Sequence, residues 1–311
     1  MISPAIALTL CRTSFYAAAS VLYGSGCFVA FLAPHRLRQE IRGPFRTAGV
    51  LALLASLAWL PIQAAVVGDN WTSAFDWTTL SALSKTTSGT AWFVHCILAL
   101  SAFGVILLRP HASAARAVIA ALLMASLVLS GHAEMDEGTR RALHILNHML
   151  HLLSGGFWLG SLVALPSGLA RLRDPTLCAD AKIALRRFSL AGHIAVSLVI
   201  ITGIVDTALI LGGWPDDLAS PYQLLLDAKI VLVVAMASLA VINRYVFVPR
   251  LRRQPECAVA NIRNGTFAEL ALGAGVLALV AIFGLMDPSQ PGASLCRFNR
   301  TPLCTEDRND G

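Results

Sequence analysis

Long apolar segments alternate with short polar ones along most of the chain. Each apolar segment is close to the ~20 residues that a helix needs to cross a bilayer, and the period-two alternation of barrel strands is absent. Apolar residues continue before Arg12, so residues 2–11 either lie at the interface or extend the first helix. The pattern predicts an all-α polytopic membrane helical bundle with eight transmembrane helices, at roughly 12–33, 45–67, 89–108, 116–132, 142–166, 188–212, 221–247 and 265–286.

The composition supports this class, because 56% of the 311 residues are hydrophobic and 14% are charged. The net charge of +6 does not indicate nucleic-acid binding, since most basic residues lie in short loops. The sequence contains no P-loop and no dinucleotide fingerprint, so we expect neither ATP hydrolysis nor another enzyme activity. We predict a transmembrane domain over residues 1–286 and a polar periplasmic tail over residues 287–311.

The loop charges predict the orientation. The loops after the first, third, fifth and seventh segments are rich in Arg and Lys, whereas the alternate loops are mainly acidic. Cytoplasmic loops carry the excess of Lys and Arg in membrane proteins, so both termini are predicted to be periplasmic.

The longest outer loop, residues 68–88, is predicted to hold a short surface helix. In an oxidising periplasm Cys296 and Cys304 are predicted to form a disulfide, the alternative being two unpaired thiols.

A stripe of histidines marks the fifth segment. At 100° per residue, His144, His148 and His151 fall within an arc of about 60° on one helix face, with Asn147 beside them. Ionisable groups at membrane depth are costly and usually functional, and imidazole is a common metal ligand. On a rigid helix, neighbouring pairs can chelate, but the remaining ligands must come from other helices.

Other polar residues fall at the same outer depth, on the third, fourth, sixth and seventh segments: His95, His132, Asp206, Asp227 and Lys229. Together with the stripe they predict a polar cup open to the periplasm. Imidazole with carboxylate suits Cu(II) or Zn(II). We therefore predict a metal site formed by His132, His144, His148 and His151, with His95 as a further candidate. The alternatives are hydrogen-bonded packing of the histidines and ion pairing of Asp227 or Lys229.

Several short motifs resemble the copper-resistance D family (CopD/PcoD type) of bacterial inner-membrane proteins. They occur in the family's order over residues 130–251: SGHA at 130–133, HLLSGGFWLGSL at 151–162, RFS at 187–189, ITG at 201–203, Tyr222, LLLDAK at 224–229, NR at 243–244 and PRL at 249–251. The first three helices and the tail resemble the family in hydropathy alone.

The resemblance implies an eight-helix, multi-pass inner-membrane protein that handles copper. It also implies a separate periplasmic copper-binding partner of the CopC type. His132, His151 and Lys229 match motif residues, whereas a metal role for His144 and His148 depends on the helical stripe alone. Copper import is the function commonly described for the family.

Three functions remain open from the sequence. The first is a permease that captures periplasmic copper at the outer histidines and passes it inward. The second is a cytochrome b-like electron-transfer protein, in which His95 with His148 or His151 would ligate haem. The third is a copper relay or sensor that does not transport. A permease needs polar residues in the inner half of the membrane as well, and the sequence offers few there, mainly His193 and Glu269.

Overall fold

A computed structural model describes residues 2–41, 43–130, 138–211, 220–250 and 255–283. Within these ranges every regular element is helical, which confirms the all-α class. Eight helical segments are long and apolar enough to cross a membrane, which confirms the predicted number. These membrane helices are α1 (Pro4–Cys27), α2 (Phe45–Val67), α3 (Thr87–Leu108), α4 (Ser113–Ala125), α5 (Gly138–Ala170), α6 (Cys178–Leu211), α7 (Pro221–Ile242) and α8 (Pro255–Phe283).

Three helices begin well before the predicted boundaries. Helix α1 starts at Pro4, where the Ser3 hydroxyl accepts a hydrogen bond from the Ile6 amide, so the residues before Arg12 extend the first helix. Helices α6 and α8 likewise start about ten residues early. Hydropathy marks the part of a helix that lies in hydrocarbon, whereas backbone hydrogen bonding continues the helix through polar residues beyond it.

The outer loop contains the predicted surface helix, at Trp77–Ser84, preceded by a 3-10 turn at Trp71–Phe75. Asp76 caps this helix by accepting hydrogen bonds from the Thr78 and Thr79 amides and hydroxyls. Hydrogen bonds from the two hydroxyls favour the ionised carboxylate and lower the pKa of Asp76 to about 2. The cap explains why a helix begins here, between two apolar spans.

Helix α1 lies at the centre of the bundle and packs against α2, α4 and α5. The contact with α5 is the closest, because a Cβ on Gly160 would overlap the Ser20 carbonyl and the Gly24 Cα. The Ser25 hydroxyl donates a 2.8 Å hydrogen bond to the Gly160 carbonyl. Small residues of this kind let membrane helices approach closely, so α1 fixes the position of α5 and of its histidines.

Helices α6 and α7 lie at the periphery. Helix α6 packs chiefly against α5, and α7 packs chiefly against α8. In the most apolar window of α1, 67% of residues are buried, compared with 22% for α6 and 11% for α7. Two cavities lie among α5, α6, α7 and α8. We call the one beside the N-terminal half of α5 the outer cavity, and the one beside its C-terminal half the inner cavity.

The orientation remains a prediction, and so does the periplasmic tail over residues 287–311, because residues 284–311 lie outside the described ranges. We expect a fluorescent reporter that matures in the cytoplasm alone to stay dark when it is fused to Gly311. The same reporter fused after Arg253, which follows the seventh membrane helix, should be bright. A bright Gly311 fusion with a dark Arg253 fusion would invert the orientation.

Candidate metal centre

The outer cavity has a volume of about 240 Å³ and lies chiefly among α5, α6, α7 and α8, with residues of α1 and α4 completing its wall. Its wall is largely apolar, so the few polar side chains that line it are the candidates for ligand binding. All three histidines of the α5 stripe line the cavity, and α6 and α7 add one acidic and one basic residue opposite them: His144, His148, His151, Asp206 and Lys229. The predicted stripe therefore does face one shared space.

Asp206 is the centre of the hydrogen-bond network at this cavity. Its side chain is largely buried, and it accepts hydrogen bonds from Asn147 Nδ2 at 2.6 Å and from His148 Nδ1 at 2.9 Å. The Nε2 atom of buried His144 lies 3.9 Å from the same carboxylate. Asn147 also donates to the Thr202 carbonyl, 2.9 Å away. These contacts tie α5 to α6 and fix the orientation of the His148 ring.

His151 is oriented in a similar way by Thr202. Its Nδ1 lies 2.9 Å from the Thr202 hydroxyl oxygen, and that hydroxyl donates its proton to the Leu198 carbonyl at 2.6 Å. Because the hydroxyl proton is already used, the hydroxyl accepts and His151 Nδ1 donates. Gly203 leaves room for the ring, since a Cβ there would lie 3.3 Å from His151 Cε1.

Both contacts have the same chemical consequence. With Nδ1 carrying the proton, a neutral His148 or His151 presents its Nε2 lone pair for binding. Metal-binding histidines typically donate their other ring nitrogen to a carboxylate, a carbonyl or another acceptor, which fixes the tautomer and strengthens the ligand. The hydrogen bonds that His148 and His151 donate to Asp206 and Thr202 match this arrangement.

The ligands do not, however, converge on one point. The His148 and His151 rings are nearly parallel, with an interplanar angle of 10° and centroids 6.5 Å apart. Among the described residues, no three His, Cys, Asp or Glu side chains are close enough to hold a metal ion together. In this arrangement the two rings do not complete a metal site with a third described side chain. His132 lies outside the described ranges, as do Cys296 and Cys304 of the predicted disulfide.

The structure places His95 in a different environment from the stripe. It is buried between the rings of Phe15 and Trp59, whose centroids lie 5.1 and 5.5 Å away, and its Nε2 is 3.2 Å from the Ser126 carbonyl. His95 is not among the residues that line the outer cavity. Asp227 does not line it either, although Lys229, two residues further along α7, does.

The inner half is arranged differently. His193 is exposed on α6, where its Nδ1 donates to the Ser189 carbonyl at 2.6 Å. Glu269 is buried, and its carboxylate accepts hydrogen bonds from Asn243 and Trp158. Trp158 lines both cavities, whereas the two inner polar residues named from the sequence line the inner cavity and not the outer one.

Thr202 is the site residue that the sequence reasoning did not identify. It lies one turn before Asp206, so the two residues share a face of α6. Its position within the ITG motif at 201–203 was the available signal. The structure now gives that motif a physical meaning, since the threonine orients His151 and the glycine accommodates the imidazole ring.

The fold and this site describe a polytopic membrane protein with a histidine and carboxylate cavity at one end of the bundle. Comparison with family models defines the class further. Residues 1–143 match "Copper resistance protein D-like, N-terminal domain", and residues 182–283 match "Copper resistance protein D". The first match extends the resemblance to the first three helices. The stretch between the two matches, residues 144–181, contains the histidine stripe and the HLLSGGFWLGSL motif.

Curated relatives agree with the family matches. The chain is 30% identical to Inner membrane protein YebZ of Escherichia coli over 86% of its length and 93% of the relative. It is 28% identical to Copper resistance protein D of Pseudomonas syringae over 89% of its length and 95% of that protein. It is 29% identical to Copper transport protein CutJ of Bacillus subtilis over 90% of its length and 53% of that protein. No solved structure matches significantly.

The chain therefore belongs to the copper resistance protein D family, as its motifs predicted. Its eight membrane-length helices and its relatives identify it as a copper-related multi-pass protein of the bacterial inner membrane.

Proposed function

We propose that the outer cavity binds a copper ion through the Nε2 atoms of His148 and His151 and that the protein passes this copper inward across the membrane. The observation that carries the proposal is the pair of Nδ1 contacts, to Asp206 and to Thr202, which prepare both imidazoles as ligands. The family and the names of Copper resistance protein D and CutJ support copper as the metal.

The charges of the cavity favour recognition through nitrogen ligands. Asp206 and Lys229 face the same space, so their charges oppose each other and offer a cation little net attraction. Imidazole lone pairs then supply most of the affinity, which suits copper better than a hard cation such as Mg²⁺. His144 is a candidate third ligand. His132 is another, because Ser130, two residues before it, lines the cavity.

The size of the outer cavity favours an ion over haem. Its volume of about 240 Å³ is below the range of ~300–1,000 Å³ that is usual for sites of drug-sized ligands. His95 would have to supply the second axial ligand, yet it lies in its own aromatic pocket. We therefore expect the purified protein to show no haem absorption band.

Copper uptake into proteoliposomes tests the transport part of the proposal. Copper added outside should reach a chelating dye trapped inside at a rate that depends on wild-type protein. Protein-free vesicles and vesicles with the His148→Ala/His151→Ala variant should give the background rate. Copper that binds to the protein without reaching the dye would contradict transport and favour a relay or sensor at the outer face.

A CopC-type protein is the proposed periplasmic donor, and adding it loaded with copper should increase the rate of copper uptake.

Asp206→Asn is expected to weaken copper binding by roughly 10- to 100-fold while leaving the histidines in place. The neutral amide is a poorer acceptor for His148 Nδ1 than the carboxylate, so it orients the ring less firmly and makes Nε2 a weaker ligand. Titration against a competing chelator measures the affinity. Asp227→Asn is the matched control, because it makes the same chemical change outside the cavity. Equal affinities for the two variants would contradict the role assigned to Asp206.

A further inference from the structure

The inner cavity is much larger than an ion requires. Its volume is about 1380 Å³, compared with about 240 Å³ for the outer cavity. It lies at the end of the bundle where α5 ends and α6 begins, which is the predicted cytoplasmic side. Most of its wall is aliphatic or aromatic, with Leu162, Leu165, Leu169, Phe188 and Val196 among the residues that form it.

The mouth of the inner cavity is basic. Four cationic side chains line it, on the segment after α5, on α6 and after α7: Arg173, Lys182, Arg186 and Arg244. Glu256 is the acidic residue that lines the same end, and the deeper Glu269 is engaged by Asn243 and Trp158. Within the described ranges, none of the four cations lies within ion-pair distance of a carboxylate. The mouth therefore repels a metal cation and attracts an anion.

The cavity is also open towards the bilayer. Ile200 of α6 and Val241 of α7 line it, yet 44% and 52% of their surfaces remain exposed. The two helices pack chiefly against other neighbours rather than against each other. Lys182 and Arg186 lie one turn apart on α6, and the same face continues through Ser189 and His193 into the cavity. An amphipathic molecule in the membrane can thus enter the inner cavity from the side and place its polar headgroup at the basic mouth.

We propose that the inner cavity binds an anionic phospholipid of the cytoplasmic leaflet. The phosphate lies among Lys182, Arg186 and Arg244, and an acyl chain lies along the apolar wall. Basic pockets between helices on the cytoplasmic side are suited to such headgroups, and burial of an acyl chain against this wall is favourable. A soluble anion would use the mouth but not the wall. This site is independent of the proposed copper function.

Native mass spectrometry in mild detergent tests the proposal with phosphatidylglycerol and with phosphatidylcholine of the same chains. Wild-type protein should prefer phosphatidylglycerol, and Arg186→Gln/Arg244→Gln should lower its affinity by roughly thirtyfold, at ~1 kcal/mol per basic residue. The matched control is Arg109→Gln/Arg263→Gln, which removes two exposed charges from the same side of the membrane and outside the cavity. This control should bind phosphatidylglycerol like wild type.

A second variant tests the apolar wall without changing charge. Gly192 lines the inner cavity, and a Cβ there would meet no atom within 4 Å, so Gly192→Leu adds an apolar side chain at the wall from an open Cβ position. It should lower phosphatidylglycerol binding, because the acyl chain lies along the wall, whereas binding of inorganic phosphate at the mouth should stay unchanged. Equal binding of the two lipids, an equal loss of affinity in the two double-arginine variants, or wild-type lipid binding by Gly192→Leu would each overturn the proposal.

Discussion

The copper content of the purified protein is expected to fall to background when His148 and His151 are both replaced by alanine. These residues supply the two prepared Nε2 ligands of the proposed site, and imidazole supplies most of its affinity. The His148→Ala single variant should retain copper at a reduced level, because His151 is still oriented by Thr202. Elemental analysis of protein that has been loaded with copper and then desalted measures this content.

His193→Ala provides the control for this experiment. His193 is exposed at the inner half of α6 and is not among the residues that line the outer cavity, so its loss should leave the copper content unchanged. Circular dichroism verifies that the double variant retains its helices. If the folded double variant carries as much copper as His193→Ala, the stripe has a packing role and the site assignment is wrong.

A Gly160→Val substitution should cause the largest loss of stability among the positions considered. A Cβ at this position would overlap the backbone of α1 at Ser20, and a backbone cannot rotate away as a side chain can. Overpacking typically costs 1–3 kcal/mol, and we expect about 3 kcal/mol here because the two helices must separate. The thermal unfolding midpoint in detergent, compared with wild type, measures the effect.

Gly104→Val makes the same chemical change on α3, where a Cβ would meet no atom within 4 Å. Its unfolding midpoint should stay close to that of wild type. Similar midpoints for the two valine variants would contradict the close contact between α1 and α5, and with it the rigid placement of the histidine stripe.

The helices were largely predictable from the sequence because hydropathy is a local property of the chain. The eight spans, the surface helix in the outer loop and the shared face of His144, His148 and His151 all follow from composition and the 3.6-residue period. The early starts of α6 and α8 were missed, since polar residues beyond the hydrocarbon continue a helix without an apolar signal.

The arrangement of the site was less predictable because it depends on how separate helices pack. The sequence identified Asp206 as a polar residue at the same depth as the histidine stripe. It did not show that Asp206 would accept a hydrogen bond from His148. It grouped His95 with the stripe by depth alone, whereas helix packing places that ring beside Phe15 and Trp59. The parallel His148 and His151 rings also depend on contacts with α6 that one helix cannot reveal.

The peripheral position of α6 makes the proposed copper site sensitive to the thickness of the bilayer. The apolar part of helix α6, residues 188–211, is about 36 Å long at 1.5 Å per residue, which exceeds a hydrocarbon core of about 30 Å. A helix in this situation adjusts its tilt to the local membrane. The histidines are held by α5 against α1, whereas Asp206 and Thr202 would tilt with α6. Copper affinity should therefore change with acyl-chain length, even when the protein sequence and the copper concentration are held constant.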